Sequence, residues 1–115
     1  MTRTALDPMS LQDRAVAWHA ARYPLCTIGD CALKSMAELG EVADAILAMD
    51  GRDTSHPERA GKVLAEAADV VITLLALCGR GEYGDLLTAV SRKLALLETA
   101  GGPHPGCLPA KGRAV

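Results

Sequence analysis

The chain has 115 residues with 14 acidic and 12 basic side chains, and 50% of it is hydrophobic although only 3% is aromatic. This length fits one domain with a modest core, and a net charge of −2 without a run of Lys or Arg argues against binding to duplex nucleic acid. The longest apolar run, 70–78, is far shorter than the roughly 20 residues that cross a membrane, and the N-terminus lacks the apolar segment of a signal peptide. We therefore expect a cytoplasmic protein that does not enter membranes.

The first half of the chain predicts two helices. Ser10 is suited to accept a hydrogen bond from the first turn of a helix that ends before Pro24. Asp30 is the predicted N-cap of a second helix over about 31–49. The segment 50–57 is dense in turn-forming residues, so we expect a loop there.

The second half predicts two more helices. One spans about 58–77, and the other spans about 86–99 with Asp85 as its N-cap. The many Gly and Pro residues after this point do not favour a packed helix. We divide the chain into three parts: a leader without periodicity (1–9), an all-α domain that forms a four-helix bundle (10–100), and a Gly- and Pro-rich tail (101–115).

The apolar residues of the last two helices predict an oligomer. The third helix is apolar in nearly every direction around its axis, which a small bundle cannot cover alone. We expect a second subunit to complete the bundle and Val71, Ile72 and Leu75 to lie buried between protein layers. On the fourth helix, the residues expected on the inner side are Leu86, Val90, Leu94 and Leu97.

Two acidic pairs occupy matching positions on the second and third helices. Residues 34–46 read KSMAELGEVADAI, and residues 62–74 read KVLAEAADVVITL. In each segment a lysine precedes an acid by one helical turn, and a second acid follows three residues later at the edge of an apolar stripe. The four acids are Glu38, Glu41, Glu66 and Asp69.

The duplication of the acids favours a metal site. If the two helices pack antiparallel, the four carboxylates converge, and a cation would compensate their repulsion. Carboxylates without a neighbouring histidine favour Mg²⁺ or Mn²⁺ over zinc, and Mg²⁺ is commonly bound together with substrate phosphates. The alternative is a solvated helix face on which Lys34 and Lys62 form ion pairs with the acids.

These motifs resemble those of the MazG-like all-α nucleotide pyrophosphohydrolases. The resemblance rests on Glu38-x2-Glu41, a spacer, Glu66-x2-Asp69 and the opening of the last helix at Asp85, and it covers about 11–97. It implies a Mg²⁺-dependent enzyme that cleaves a nucleoside triphosphate to the monophosphate and pyrophosphate, with a possible role in cleaning the nucleotide pool. It also implies a helical homodimer or dimer of dimers.

The resemblance assigns roles to individual residues. The four acids become metal ligands, with Glu38 also orienting or deprotonating the attacking water, and Lys93 would contact phosphate. After Lys93 the chain reads LALLETAGG and lacks the family's further basic residues. The remaining candidates for substrate binding are Lys34, Lys62, Arg52 and Trp18. Trp18 would be a platform on which a base stacks. Its alternative role is that of a core anchor.

Two rival functions remain open from the sequence. The shortage of basic residues after Lys93 favours a non-catalytic nucleotide-binding or regulatory oligomer of the same family, and a plain helical interaction domain would make the acids incidental. Four cysteines without a C-x-x-C spacing are expected to be free thiols. A zinc site from Cys26, Cys31 and His56, or a disulfide between Cys26 and Cys31, is the alternative.

Overall fold

The computed structural model describes residues 9–48 and 57–101, which form four α-helices and no β-strand. The helices are α1 (Leu11–Arg22), α2 (Ile28–Leu47), α3 (Pro57–Arg80) and α4 (Leu86–Ala100). The predicted all-α four-helix class is therefore confirmed. Among these helices, none combines the length and the apolar character needed to cross a membrane. The predicted loop, apart from Pro57, nearly all of the leader and the tail beyond Gly101 lie outside the described residues.

Side-chain caps start three of the helices. The hydroxyl of Ser10 accepts the N–H of Asp13 at 3.0 Å, and the carboxylate of Asp85 accepts the N–H of Thr88 at 2.9 Å, so both predicted N-caps are confirmed. The prediction of Asp30 as N-cap is wrong. Thr27 caps α2, because its hydroxyl accepts the N–H of Asp30 while the Asp30 carboxylate accepts the N–H of Thr27, each at 3.0 Å.

Helix α3 is the centre of the fold and packs against both α1 and α2. Gly79 allows the close approach to α1, since a Cβ at that position would overlap the side chain of Val16. The fully buried core contains few large residues: Leu75 and Ala76 on α3 and Cys31 on α2 are each 0% exposed. A core this small leaves much of the apolar surface of the chain uncovered.

Two helices carry large apolar residues on their outer side. On α2 the buried residues are Cys31, Ser35, Glu38 and Ala45, whereas larger apolar side chains such as Met36 (71% exposed) face solvent. On α4 every residue except the partly buried Leu86 is exposed. The expected inner position of Val90, Leu94 and Leu97 is therefore not found, because no helix in the described part of a single chain covers that side.

The apolar residues of α3 divide between the interior and the surface. Leu75 is buried, as predicted, but the other helices of the same chain cover it. Val71 is 44% exposed and Ile72 is 36% exposed. Within one chain, the apolar side chains of α3 are thus only partly covered.

Candidate metal centre and the cavity beside it

Three of the four predicted carboxylates meet between α2 and α3. One oxygen each from Glu38, Glu66 and Asp69 can be chosen so that all three lie within 4.8 Å of one another. Glu41 lies close enough to Glu66 and Glu38 that these two carboxylates raise its pKa. Glu38, the first acid of α2, lies near both acids of α3, and Glu41, the later acid of α2, lies near Glu66, the earlier acid of α3. The two helices therefore run antiparallel here, which is the arrangement that convergence of the acids required.

Each acidic segment forms the same internal ion pair. Lys34 Nζ lies 3.0 Å from Glu38 Oε1, and Lys62 Nζ lies 3.2 Å from Glu66 Oε1. The pair with Glu38 also raises the pKa of Lys34. Both lysines are exposed, so these i,i+4 pairs contribute little to stability. They partly neutralise Glu38, which is buried, and Glu66, which is partly buried. The predicted ion pairs and the predicted carboxylate cluster therefore coexist.

One buried carboxylate oxygen of the cluster lacks a hydrogen-bond donor. Glu38 is 8% exposed, and the side chain of Glu66 is 16% exposed. Oε2 of Glu66 is buried and has no hydrogen-bond partner among the described residues. A buried carboxylate oxygen without a donor is costly. This arrangement of hard oxygen donors suits a small divalent cation such as Mg²⁺.

The cluster borders a cavity of about 570 Å³ that also reaches α1. Glu38 and Asp69 line one part of it, and Lys34 lies beside them. The aromatic rings of Trp18, His19 and Tyr23 line another part. The volume lies within the usual range for small-molecule sites, and its wall combines anionic oxygens with flat apolar rings.

The predicted substrate-binding residues fall in different places. Trp18 lines the cavity and is 54% exposed, so it is not a core anchor. Lys34 lines the cavity as well, whereas Lys62 is held by Glu66. Lys93 lies on α4 in a separate apolar groove, and Arg52 lies outside the described residues. The structure thus brings Trp18 and Lys34 to the acids but leaves Lys93 apart from them in a single chain.

Arg80 organises the aromatic end of the cavity and was missed by the sequence reasoning. Its guanidinium donates to His19 Nδ1 at 2.9 Å and to the carbonyl of Tyr23 at 2.9 Å. Burial, followed by the charge of Arg80, lowers the pKa of His19. Arg14 also lines the cavity and was missed. No sequence signal identified Arg80, because its partners His19 and Tyr23 are 61 and 57 residues away in the chain.

A second group of potential ligands lies at the same end. His19, Cys26 and Cys31 place one ligand atom each within 4.8 Å of one another. His19 thus takes the position that the alternative zinc site assigned to His56, which lies outside the described residues. Cys26, Cys31 and Cys78 are free thiols, as expected for them, and Cys107 lies outside the described residues.

Comparison with known proteins adds no relative: no family model, curated protein or solved structure matches this chain.

Proposed function

We propose that this chain is a Mg²⁺-dependent nucleoside triphosphate pyrophosphohydrolase of the MazG-like type, which releases a nucleoside monophosphate and pyrophosphate. The observation that carries the proposal is the meeting of Glu38, Glu66 and Asp69 beside a cavity with aromatic walls. A triphosphate needs a cation to neutralise its charge, and a base needs a flat apolar surface. The chain supplies a place for each. In a cell, such an activity would act on the cytoplasmic nucleotide pool.

Mg²⁺ fits the residues present. Glu38, Glu41, Glu66 and Asp69 would hold it, and the unpartnered oxygen of Glu66 is an available ligand atom. When bound, the ion supplies charge neutralisation at the phosphates and lowers the pKa of coordinated water. Mn²⁺ has similar ligand preferences and is the expected substitute.

The side chains of the cavity have separate roles in the proposed reaction. Glu38 orients the attacking water and accepts its proton, because its carboxylate lies at the cavity wall. Water attacks the α-phosphorus, the bond to the oxygen that bridges to the β-phosphorus breaks, and pyrophosphate leaves. Lys34, which already lies beside Glu38, is placed to contact a phosphate oxygen. Trp18 offers its exposed ring to the base.

We also propose that the active form is a homodimer or a dimer of dimers. The exposed apolar side of α4 supports this, since Val90, Leu94 and Leu97 are 50%, 54% and 58% exposed, and Lys93 lies in the same groove. A partner that packs there could bring basic residues to the phosphates. Light scattering at micromolar concentration should show at least a dimer, and a stable monomer would contradict the proposal.

The test of the activity is product analysis on a panel of ordinary, deoxy and modified nucleoside triphosphates, with Mg²⁺ or with EDTA. We expect monophosphate and pyrophosphate in equal amounts, with Mg²⁺ only. Asp44→Asn is a matched control, because Asp44 is an exposed acid on the same helix as Glu38, and it should keep full activity. Diphosphate and orthophosphate as products would contradict the proposed reaction.

The second candidate is a non-catalytic nucleotide-binding oligomer. The separation of Lys93 from the acids in a single chain favours it, because few basic groups then face the phosphates. Tight Mg²⁺-dependent binding of a triphosphate without any product would establish this alternative and reject the enzyme.

A further inference from the structure

Two cysteines touch each other beside His19, one of the aromatic residues that line the cavity. Cys26 precedes α2, and Cys31 lies in its first turns. Their sulfur atoms are 3.5 Å apart, although both residues are free thiols. A disulfide needs a sulfur separation of about 2.05 Å, so the two atoms must approach by only about 1.5 Å from the observed 3.5 Å.

The two thiols differ in exposure in the way that a reactive and a resolving cysteine differ. Cys26 is partly exposed, whereas Cys31 is 0% exposed. Burial is the main reason why the pKa of Cys31 is raised, and its contact with Cys26 adds to the effect. Oxidants in solution can therefore reach Cys26 first, and the neighbouring Cys31 is placed to react with the product.

Arg80 argues against a metal ion at this cluster. Its guanidinium donates to Nδ1 of His19 at 2.9 Å, so that nitrogen already uses its lone pair. Arg80 also carries a permanent positive charge, which opposes the binding of a cation. The same surroundings thus disfavour zinc.

We propose that Cys26 and Cys31 are a peroxide-sensitive dithiol that closes to a disulfide and thereby changes the wall of the cavity. The Cys26 thiolate attacks one oxygen of hydrogen peroxide, the O–O bond breaks, and the other oxygen leaves as hydroxide and becomes water. The Cys31 sulfur then attacks the Cys26 sulfenic acid, the S–O bond breaks, and hydroxide leaves as water with the proton of Cys31. Two thiols are oxidised to one disulfide, and one peroxide is reduced to two waters.

Closing the disulfide would affect the cavity because Cys26, and not Cys31, is the residue that can move. The backbone N–H of Cys31 donates to Thr27 at 3.0 Å, and its carbonyl accepts the hydroxyl of Ser35 at 3.0 Å, so Cys31 is fixed in α2. The displacement falls on Cys26 and on the turn that begins at Tyr23. The ring of Tyr23 lines the cavity and lies 6.1 Å from the ring of Trp18.

The first test counts thiols and needs no substrate, so its failure is distinguishable from failure of the proposed activity. The full reduced chain is treated with hydrogen peroxide, alkylated and digested with trypsin. Cleavage after Arg22 and Lys34 leaves both cysteines in one peptide, 23–34. We expect this peptide to be unalkylated and two hydrogens lighter, and to be restored by dithiothreitol.

Two variants make the assignment specific. Cys26→Ser should leave Cys31 alkylatable after the same treatment, and Cys78→Ser should behave as the wild type. Full alkylation of both cysteines after peroxide would overturn the proposal. Protection of both thiols by added zinc, with no disulfide after peroxide, would assign the cluster to a metal and overturn it as well.

The second test follows the cavity wall. Trp18 is the only tryptophan of the chain, so the intrinsic fluorescence reports on the ring that contacts Tyr23. Oxidation should shift the fluorescence, dithiothreitol should reverse the shift, and Cys26→Ser should show none. A disulfide that forms without any change in fluorescence would overturn the proposed link to the cavity.

Discussion

The interface between α2 and α3 and the outer side of α4 have the same kind of sequence pattern but differ in whether another helix packs against it. Both carry an apolar stripe at helical spacing. Between α2 and α3 the neighbouring helix is present in the chain and the acids at the edge of the stripe come together, although larger apolar residues of α2 such as Met36 stay exposed. On α4 nothing covers the stripe within the described part of one chain. A helical pattern therefore identifies an apolar face, but it does not show whether another helix of the same chain covers that face.

For the interface between α2 and α3, the substitution with the largest expected effect is Glu38→Gln. The substitution keeps the size of the side chain and removes the proposed base, so we expect the rate of pyrophosphate release to fall by about 100- to 10,000-fold. Rates with saturating triphosphate and Mg²⁺ measure the effect. A loss of less than threefold would show that Glu38 does not act on the attacking water.

The attachment of α4 can be tested at Gln12 on α1. Its side-chain amide donates to the carbonyl of Gly84 at 2.7 Å, and its oxygen accepts the N–H of Leu86 at 2.8 Å. Gln12→Met keeps the length and leaves both backbone groups unpaired, which should destabilise the protein by about 1–3 kcal/mol. Urea unfolding measures this loss.

Hydrogen exchange supplies an internal control for Gln12→Met. The amides of the first turn of α4 should exchange faster in the variant, whereas those of α2 should change little. Equal acceleration throughout the chain would mean that Gln12 does not specifically anchor α4.

Part of this structure was predictable because it depends on local pattern. The four helices, the caps at Ser10 and Asp85 and the inward direction of Glu38 all follow from spacing along one helix. Thr27 was missed because Thr27 and Asp30 satisfy each other's N–H groups, and either residue alone is a plausible cap. The contacts of Arg80 with the turn before α2 were not predictable, since they join groups that are distant in the sequence.

The smallest expected effect concerns His19, which is buried on α1. Its lowered pKa means that the unfolded chain takes up a proton at the ordinary value of 6.5, while the folded chain takes it up only at lower pH. Between these values the unfolded state binds more protons, so stability falls as pH falls below 6.5. The titratable and charged groups that face His19 are Arg80, Cys26, Cys31 and Tyr23.

The comparison of wild type with His19→Gln isolates this effect, because glutamine does not titrate. Urea unfolding at about pH 7 and about pH 5 should show a steeper loss for the wild type. Identical losses would contradict the idea that folding holds His19 neutral.

The measurement that tests the central claim most directly is the melting temperature with EDTA and with millimolar Mg²⁺ for the wild type, Asp69→Asn and the control Asp44→Asn. Mg²⁺ at ten times its Kd should stabilise the wild type and the control by about 1.4 kcal/mol, because it binds only the folded state. Asp69→Asn should be as stable as the wild type or more stable in EDTA, since one repelling charge is gone, and it should lose most of the response to Mg²⁺. Identical Mg²⁺ responses in all three proteins would contradict a metal site at these carboxylates.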